Sequence, residues 1–278
     1  RPGQAAYCAA KAGVDHLTFT GAGAASRFQV LSADSALLRL DLSPLAATSV
    51  ESFDDQTTVD ARTVVAGAGD DAVTLAGRTG GGATVSAATM PTYAFATPAT
   101  GVTIEGGGGS DVLALVGTVD LPGAGLELRA EEVRVAGALS TLASAADAGF
   151  LTIRATALPL VLAGEVPEFG AGSIASGAAL IGIEGASILT GAVSLRAGVT
   201  LTQAAAGADV AVLSSDAEAR IVISDSTIAA IGAVSALAST AQAAVAAAIA
   251  AGTGASDADA AVTAVVVRDH TTIEIADS

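Results

Sequence analysis

The sequence predicts an all-β chain wound as a parallel β-solenoid with irregular coils, and three observations carry that expectation. From about residue 50 onward, short β-branched or aliphatic stretches alternate with turns of Gly, Ala, Ser and Asp. Most of these stretches show period-two alternation, the mark of a strand with one face inward. The apolar content, 51% of 278 residues, is chiefly Ala, Val, Leu and Ile, with 3% aromatics and no Trp. Small aliphatic side chains suit thin stacked layers: a coil that buries little alone gains a continuous core from its neighbours. The alternative fold is a β-sandwich array, although sandwich cores usually carry a Trp or several aromatics between the sheets.

Taken in order, residues 1–18 stand apart. They hold the one Lys (Lys11), the one Cys (Cys8), one of two His (His16) and one of two Tyr (Tyr7). Residues 19–49 read as an irregular lead-in or cap, with one strand or helix at 36–42. Residues 50–278 form the body, expected to be a fragment of a longer rod. Strands of three to five residues are expected at 63–65, 72–75, 101–104, 112–115, 126–129, 133–135, 151–153 and 160–162. The series continues at 179–183, 187–189, 193–195, 199–201, 210–212, 220–223 and 273–275. Coils of about 20–25 residues, stacked about 4.8 Å apart, would build a rod of roughly 40–50 Å. The stretch 235–251 is Ala-rich and has the highest helix propensity in the chain. Val245 and Ile249 alternate with Ala there, however, and 261–278 returns clearly to strand, so strand is favoured at 235–251.

Charge and composition exclude several classes. The net charge is −16, with 28 acidic and 12 basic residues. A nucleic-acid binder needs a basic footprint to displace counterions, and none is visible. The same argument disfavours anionic membrane surfaces. The best membrane candidate, 243–251, is nine residues of mostly Ala, too short to span, so no membrane insertion is expected. One Cys allows no internal disulfide. The acidic balance suits an extracellular or calcium-rich setting.

Two turns carry possible chemistry. Residues 106–114 fit the nonapeptide G-G-x-G-x-D-x-U-x of calcium-binding β-rolls, and 66–74 fit all but the first Gly. Glycines let carbonyls converge and Asp supplies a charged oxygen, as a hard cation wants. Asp71 and Asp111 are the candidate ligands, with Asp70 as helper. The two copies are 40 residues apart and read as isolated turns, each closed by a capping Asp. No cofactor is required by this reading; calcium is the one candidate.

Other clusters read as solvated. Asp54/Asp55 and Glu131/Glu132 are adjacent pairs, which a strand points to opposite faces, and Asp257 with Asp259 is treated alike. Arg268-Asp269-His270 sets a His beside an acid without a nucleophile elbow. Arg129, Arg134 and Arg154 would line one face of a solenoid polysaccharide lyase or hydrolase, the main enzymatic alternative.

Two resemblances add to this reading. Residues 2–18, "PGQAAYCAAKAGVDHLT", resemble the active-site segment of the short-chain dehydrogenases. By that resemblance Tyr7 would exchange a proton with the substrate oxygen, and Lys11 would lower the phenol pKa and hold the nicotinamide ribose. In that family the catalytic Ser and the glycine-rich turn lie upstream of the Tyr, before residue 1 here. From Phe19 onward the family pattern does not continue. The segment is therefore expected to be a detached, non-functional remnant.

The body resembles large repetitive secreted bacterial surface proteins of the filamentous-haemagglutinin-like adhesin type. The residues that carry this are 57–75, 102–115 and 261–278. Leu31-Ser-Ala-Asp34 is similar to a leader motif of some such proteins. What the resemblance implies is an extracellular or cell-surface rod of a bacterium, without a catalytic site. It would meet a host or neighbouring-cell surface protein or glycan and continue into further coils. The alternatives are a calcium-dependent β-roll-like module, a solenoid carbohydrate-active enzyme and a dehydrogenase fragment.

Overall fold

The computed structural model describes residues 16–19, 22–32, 35–40, 43–48, 50–157, 160–166, 170–207, 210–248 and 262–278. The described residues are all-β, with no helix. Four strands open the chain: β1 (His16–Phe19), β2 (Ala22–Ser32), β3 (Ser35–Leu40) and β4 (Ser43–Thr48). Next come β5 (Ser52–Asp55), β6 (Thr58–Val65), β7 (Ala72–Gly77), β8 (Ala83–Ala87), β9 (Met90–Phe95), β10 (Gly101–Glu105) and β11 (Val112–Asp120). Then follow β12 (Gly125–Ala130), β13 (Glu132–Ser140), β14 (Phe150–Ala157), β15 (Leu160–Val166), β16 (Gly170–Glu184) and β17 (Ser187–Thr190). The last are β18 (Ala192–Gly207), β19 (Val210–Ser224), β20 (Thr227–Ala230), β21 (Val234–Ala248) and β22 (Val262–Ala276).

These strands form two sheets. A nine-stranded sheet runs β21-β18-β14-β12-β10-β6-β2-β3-β4. The main path of a thirteen-stranded sheet runs β1-β5-β9-β8-β7-β11-β13-β16-β19-β22. From β6 onward the chain visits the sheets in turn: β6 then β7, β10 then β11, β12 then β13, β14 then β16, β18 then β19, β21 then β22. Each return pairs in parallel with the strand laid down one circuit earlier. The sheets are nonetheless mixed. The segments β2-β3-β4, β7-β8-β9 and β15-β16 are antiparallel.

Register explains the core. Leu75, Leu115, Val135, Ile183 and Ile223 occupy one in-register column of the thirteen-stranded sheet. Val64, Ile104, Leu128, Ile153 and Leu195 form the facing kind of column in the nine-stranded sheet. All ten are buried. Burying such a side chain is worth roughly 1.5–3 kcal/mol. A period-two sequence gives each strand one apolar row, and parallel in-register pairing stacks the rows.

The thirteen-stranded sheet bends along a line of special backbone positions. Gly117 has φ +65 and pairs with Gly137 in the next strand. A Cβ at Gly137 would lie 2.2 Å from the Gly117 carbonyl oxygen, so only Gly allows this approach. In the next two layers Gly185 (φ +60) separates β16 from β17, and Asp225 (φ +49) separates β19 from β20.

The N-terminal side of the stack holds a different core. The column that reads Val102, Leu126, Leu151 and Val193 begins with Ser26 and Arg62. Arg62 thus faces inward by register and is 1% exposed. Its guanidinium pairs with Asp55 and donates to Ser26 Oγ (3.0 Å), Tyr93 Oη (3.2 Å) and the Ala96 carbonyl (3.0 Å). Tyr93 donates to Asp55 Oδ2 at 2.6 Å. Aromatic rings wrap the network. Phe28 stacks on Tyr93 with centroids 4.3 Å apart, Phe53 meets Phe28 edge-on at 5.1 Å, and the Phe95 ring lies 5.7 Å from the guanidinium.

Several expectations are corrected here. Asp55 is fully buried rather than solvated, and Asp54 is held by a two-pronged pair from Arg78 (2.6 and 3.0 Å). The strands at the C-terminal side are not three to five residues long; β16, β18, β19, β21 and β22 run 15 or 16 residues. The stretches 193–195 and 199–201 merge into β18, and 210–212 and 220–223 merge into β19. The intervening Ala and Gly residues are small enough to sit inward in a thin layer, so they do not break the strand. Circuits are also longer than 20–25 residues in places. Ala72 pairs with Val112, then Val112 with Glu132, then Glu132 with Leu180. The longer circuits hold the antiparallel excursions β8-β9 and β15. The Ala-rich stretch is strand over Val234–Ala248, and residues 249–251 lie outside the described residues.

Candidate functional site

The two glycine–aspartate turns connect the nine-stranded sheet to the thirteen-stranded one, after β6 and after β10. Because β6 pairs with β10 and β7 with β11, the turns must stack. They are not isolated, contrary to the reading from spacing alone. Gly108 N–H donates to the Gly67 carbonyl (3.2 Å), and Ser110 N–H donates to Asp70 Oδ1 (2.8 Å). Asp71 N–H donates to Asp111 Oδ1 at 2.9 Å. One layer further, Asp111 N–H donates to Glu131 Oε2 at 2.9 Å. Asp71, Asp111 and Glu131 thus form a carboxylate ladder along the corner, each of the lower two capping an amide of the layer above.

The glycines are explained by the same stacking. Gly107 (φ +107) and Gly109 (φ +122) sit in backbone space that favours Gly. A Cβ on Gly107 would lie 2.0 Å from the Gly67 oxygen, and one on Gly109 would lie 2.6 Å from the Gly69 backbone. A Cβ on Gly106 would meet the Asp111 carboxylate at 2.5 Å. Turn-on-turn packing therefore accounts for the pattern without an ion.

Asp71 and Asp111 are buried, at 3% and 1% exposure, while Asp70 is exposed. Asp71 spends one oxygen on Gly67 N–H (2.9 Å) and the other on the Thr89 hydroxyl. Asp111 Oδ1 is taken by Asp71, and Asp111 Oδ2 is buried without a partner. Burial pushes the Asp111 carboxyl up to about 6; the Asp71 amide pulls it down, and the neighbouring Glu131, Asp71 and Asp70 charges add to the rise. Calcium takes 6–8 oxygens. Here the candidate oxygens mostly serve backbone and hydroxyl donors, which fits a structural cap better than an ion cage. Among the described residues no three His, Cys, Asp or Glu side chains converge as a metal centre needs.

Two open depressions flank the ladder. A cleft of about 440 Å³ is lined by Glu105, Asp111, Glu131, Arg129 and Arg154. Arg129 pairs with Glu105 (3.0 Å) and Glu127 (2.9 Å), and Arg154 with Glu127 (3.0 Å). The hydrogen bond that Arg129 donates to Glu127, with the charges of Glu127 and Glu105, raises the Arg129 pKa further. Arg134 lies on the other sheet, paired with Glu132, so the three arginines do not share one face. A groove of about 820 Å³ is lined by Asp70, Glu131, Asp216, Glu218 and His270. Across β19 and β22, Asp216 is in register with Arg268 and Glu218 with His270. Strand alternation puts His270 on the face opposite Asp269, whose carboxylate accepts from Gln242 Nε2.

Tyr7 and Lys11 lie outside the described residues, as do Asp34, Asp257 and Asp259. Glu131 was not singled out as a partner of the turns, nor was the Asp55–Arg62–Tyr93 network foreseen. A usable signal existed for the stacking of the two turns: 61–65 and 101–105 share the same phase and the same following six-residue turn. Compared with known proteins, the chain matches no family model, no curated protein and no solved structure.

Proposed function

We propose that the chain is a non-catalytic structural and adhesive segment of a secreted or cell-surface bacterial protein, built as an irregular parallel β-solenoid. The observation that supports this reading is the repeated circuit: the runs β6-β10-β12-β14-β18-β21 and β7-β11-β13-β16-β19-β22 each grow by parallel in-register addition, so the core lengthens layer by layer. Such a stack presents side chains in outward rows, suited to spacing or to contact with a surface protein or glycan. The acidic ladder favours this reading over calcium dependence, because its carboxylates already cap amides. Arg129 and Arg154 are held by Glu105 and Glu127, which argues against their acting as bases. The test is attachment of chain-coated beads to cultured host cells and to bacterial lawns, with polysaccharide cleavage assayed in parallel. Attachment without cleavage is expected. Release of new sugar ends, with no attachment, would overturn the reading in favour of an enzyme.

A further inference from the structure

Register sets outward rows side by side on the nine-stranded sheet, between β10 and β18. One row holds Gly101 beside Gly125 and Phe150 beside Ala192. The next reads Thr103, Glu127, Thr152 and Ser194, and the third Glu105, Arg129, Arg154 and Arg196. Phe28, Phe53, Tyr93 and Phe95 are buried, whereas Phe150 is 48% exposed. A Cβ at Gly125 would fall 2.4 Å from the Phe150 ring. The ring thus fills the space that a side chain at 125 would take, which fixes it against the sheet and leaves its free side to solvent. The third row runs into the cleft beside the carboxylate ladder, where Thr156, Glu131 and Asp111 join Glu105, Arg129 and Arg154 in the lining. Unequal turns make that cleft: six residues, 106–111, separate β10 from β11, but Glu131 alone separates β12 from β13. On this face Arg129, Arg154 and Arg196 balance Glu105, Glu127 and Glu131, in a chain whose net charge is −16.

Resting on the adhesive reading above and deepening it, we infer that this face binds a neutral oligosaccharide laid along β14, from a sugar ring stacked on Phe150 to the cleft at Thr156. Phe150, Thr152, Arg154 and Thr156 alternate with the buried row of that strand and span roughly 20 Å. From β10 to β18 the face is about 15 Å wide. Such a strip, on the order of 300 Å², is far below the 800 Å² per partner of a stable protein interface. Phe150 is also the one large apolar side chain on these rows, whereas a protein interface buries an apolar centre. A sugar ring fits both features. Its C–H face is apolar and packs on an aromatic ring, and its hydroxyls donate and accept at once. Donors and acceptors alternate here and are held in place beforehand, which lowers the cost of binding. Arg129 donates to Glu105 (3.0 Å) and Glu127 (2.9 Å), and Arg154 Nε lies 3.0 Å from Glu127. Arg154 uses only its Nε there, which leaves its terminal nitrogens without an ion pair among the described residues. The balance of charge decides the sugar class. An anionic chain gains little from guanidiniums already matched by carboxylates, and the chain as a whole repels it. A neutral chain needs only the hydrogen bonds and the ring.

The test uses the full chain with neutral tetrasaccharides of β-linked glucose, mannose and N-acetylglucosamine, and with tetragalacturonate. Calorimetric titration should show at least one neutral chain binding, and tetragalacturonate binding about tenfold more weakly or not at all. Saturation transferred from the protein's aromatic protons should reach the ring C–H protons of the bound sugar. Phe150→Ala should weaken binding by about tenfold, and Phe150→Tyr should retain it. Because Phe150 also covers Gly125, a second variant reads the site without disturbing that contact. Thr152→Lys sets a long charged side chain in the middle of the path and should weaken binding by about tenfold with thermal unfolding unchanged. Arg134→Gln, on the other sheet, should change nothing. Three results overturn the site: no neutral chain bound at millimolar concentration, tetragalacturonate as the tighter ligand, or binding indifferent to both Phe150→Ala and Thr152→Lys. Coated beads that still attach to cells would then leave the adhesive reading standing, whereas beads that attach to nothing would remove both. A tetrasaccharide that binds at Phe150 and is shortened keeps the site and overturns the non-catalytic reading.

Discussion

A single charged side chain, Arg62, has the most demanding environment in the described chain. It sits in a column otherwise filled by Val and Leu, and it survives there because its hydrogen-bond donors find partners on Asp55, Thr57, Ser26, Tyr93 and Ala96. Removing one partner of a buried pair leaves an uncompensated charge, a cost of about 3–5 kcal/mol. Arg62→Ala should therefore lower stability by that order in urea unfolding, whereas Tyr93→Phe should cost only about 1–3 kcal/mol. Burial and the Asp55 charge hold the Tyr93 phenol well above its usual value, Arg62 pulling the other way. The neutral phenol is the folded form, so this contribution is lost as pH climbs past about 10 and on through the folded pKa. Ultraviolet titration should show one of the two tyrosines ionising only as the chain unfolds. Asp111 follows the same sign in a lower window. Its folded pKa of about 6 exceeds the ordinary value of 3.8, so the folded state binds the proton more tightly. Stability is gained below that window and lost as pH rises from about 4 to about 6, by up to about 3 kcal/mol. Asp111→Asn keeps the acceptor for Asp71 N–H and should flatten that part of the pH–stability curve. An unchanged slope would show that Asp111 does not titrate as argued.

At the scale of elements, the turns and the bend depend on the absence of side chains at chosen points. Gly107→Ala puts a Cβ against the Gly67 oxygen and strains a left-handed φ. Overpacking and strain of this kind cost about 1–3 kcal/mol. The same change at Gly182, near the C-terminal end of β16 with open space around it, should be neutral or slightly stabilising. Thermal unfolding of both variants tests the comparison; equal effects would mean that the turns do not pack as closely as the backbone requires. The elements themselves were partly legible. Alternation identified strand throughout the body, including the Ala-rich β21, where helix propensity argued the other way. Their lengths were not legible at the C-terminal side. Ala and Gly serve equally as turn residues and as inward residues of a thin layer, and only the neighbouring strand decides which. The carboxylate ladder was half legible for the same reason. Asp71 and Asp111 stood out by their glycines, but their juxtaposition follows from β7 pairing with β11, and Glu131 joins them only because the next circuit is short.

For the whole molecule, the main path of the longer sheet holds ten strands, a stack of about 45 Å at about 4.8 Å per strand. Its layers β16, β19 and β22 span roughly 50 Å along their strands, so among the described residues the stack is broader there than at β7 and β11. Because each ladder carboxylate already caps a backbone amide, far-ultraviolet circular dichroism of the chain should be the same β spectrum in chelator and in millimolar calcium. A spectrum that forms only with calcium would reverse the reading of the turns. By itself the sequence determined the secondary-structure type, the identity of the inward rows and the acidic, aromatic-poor surface, because these follow from alternation and composition within a few residues. Only the tertiary structure decided which circuits are long, which strands meet, and that Asp55 and Arg62 turn inward together. Those features depend on pairing between residues tens of positions apart, and local patterns carry no record of the partner.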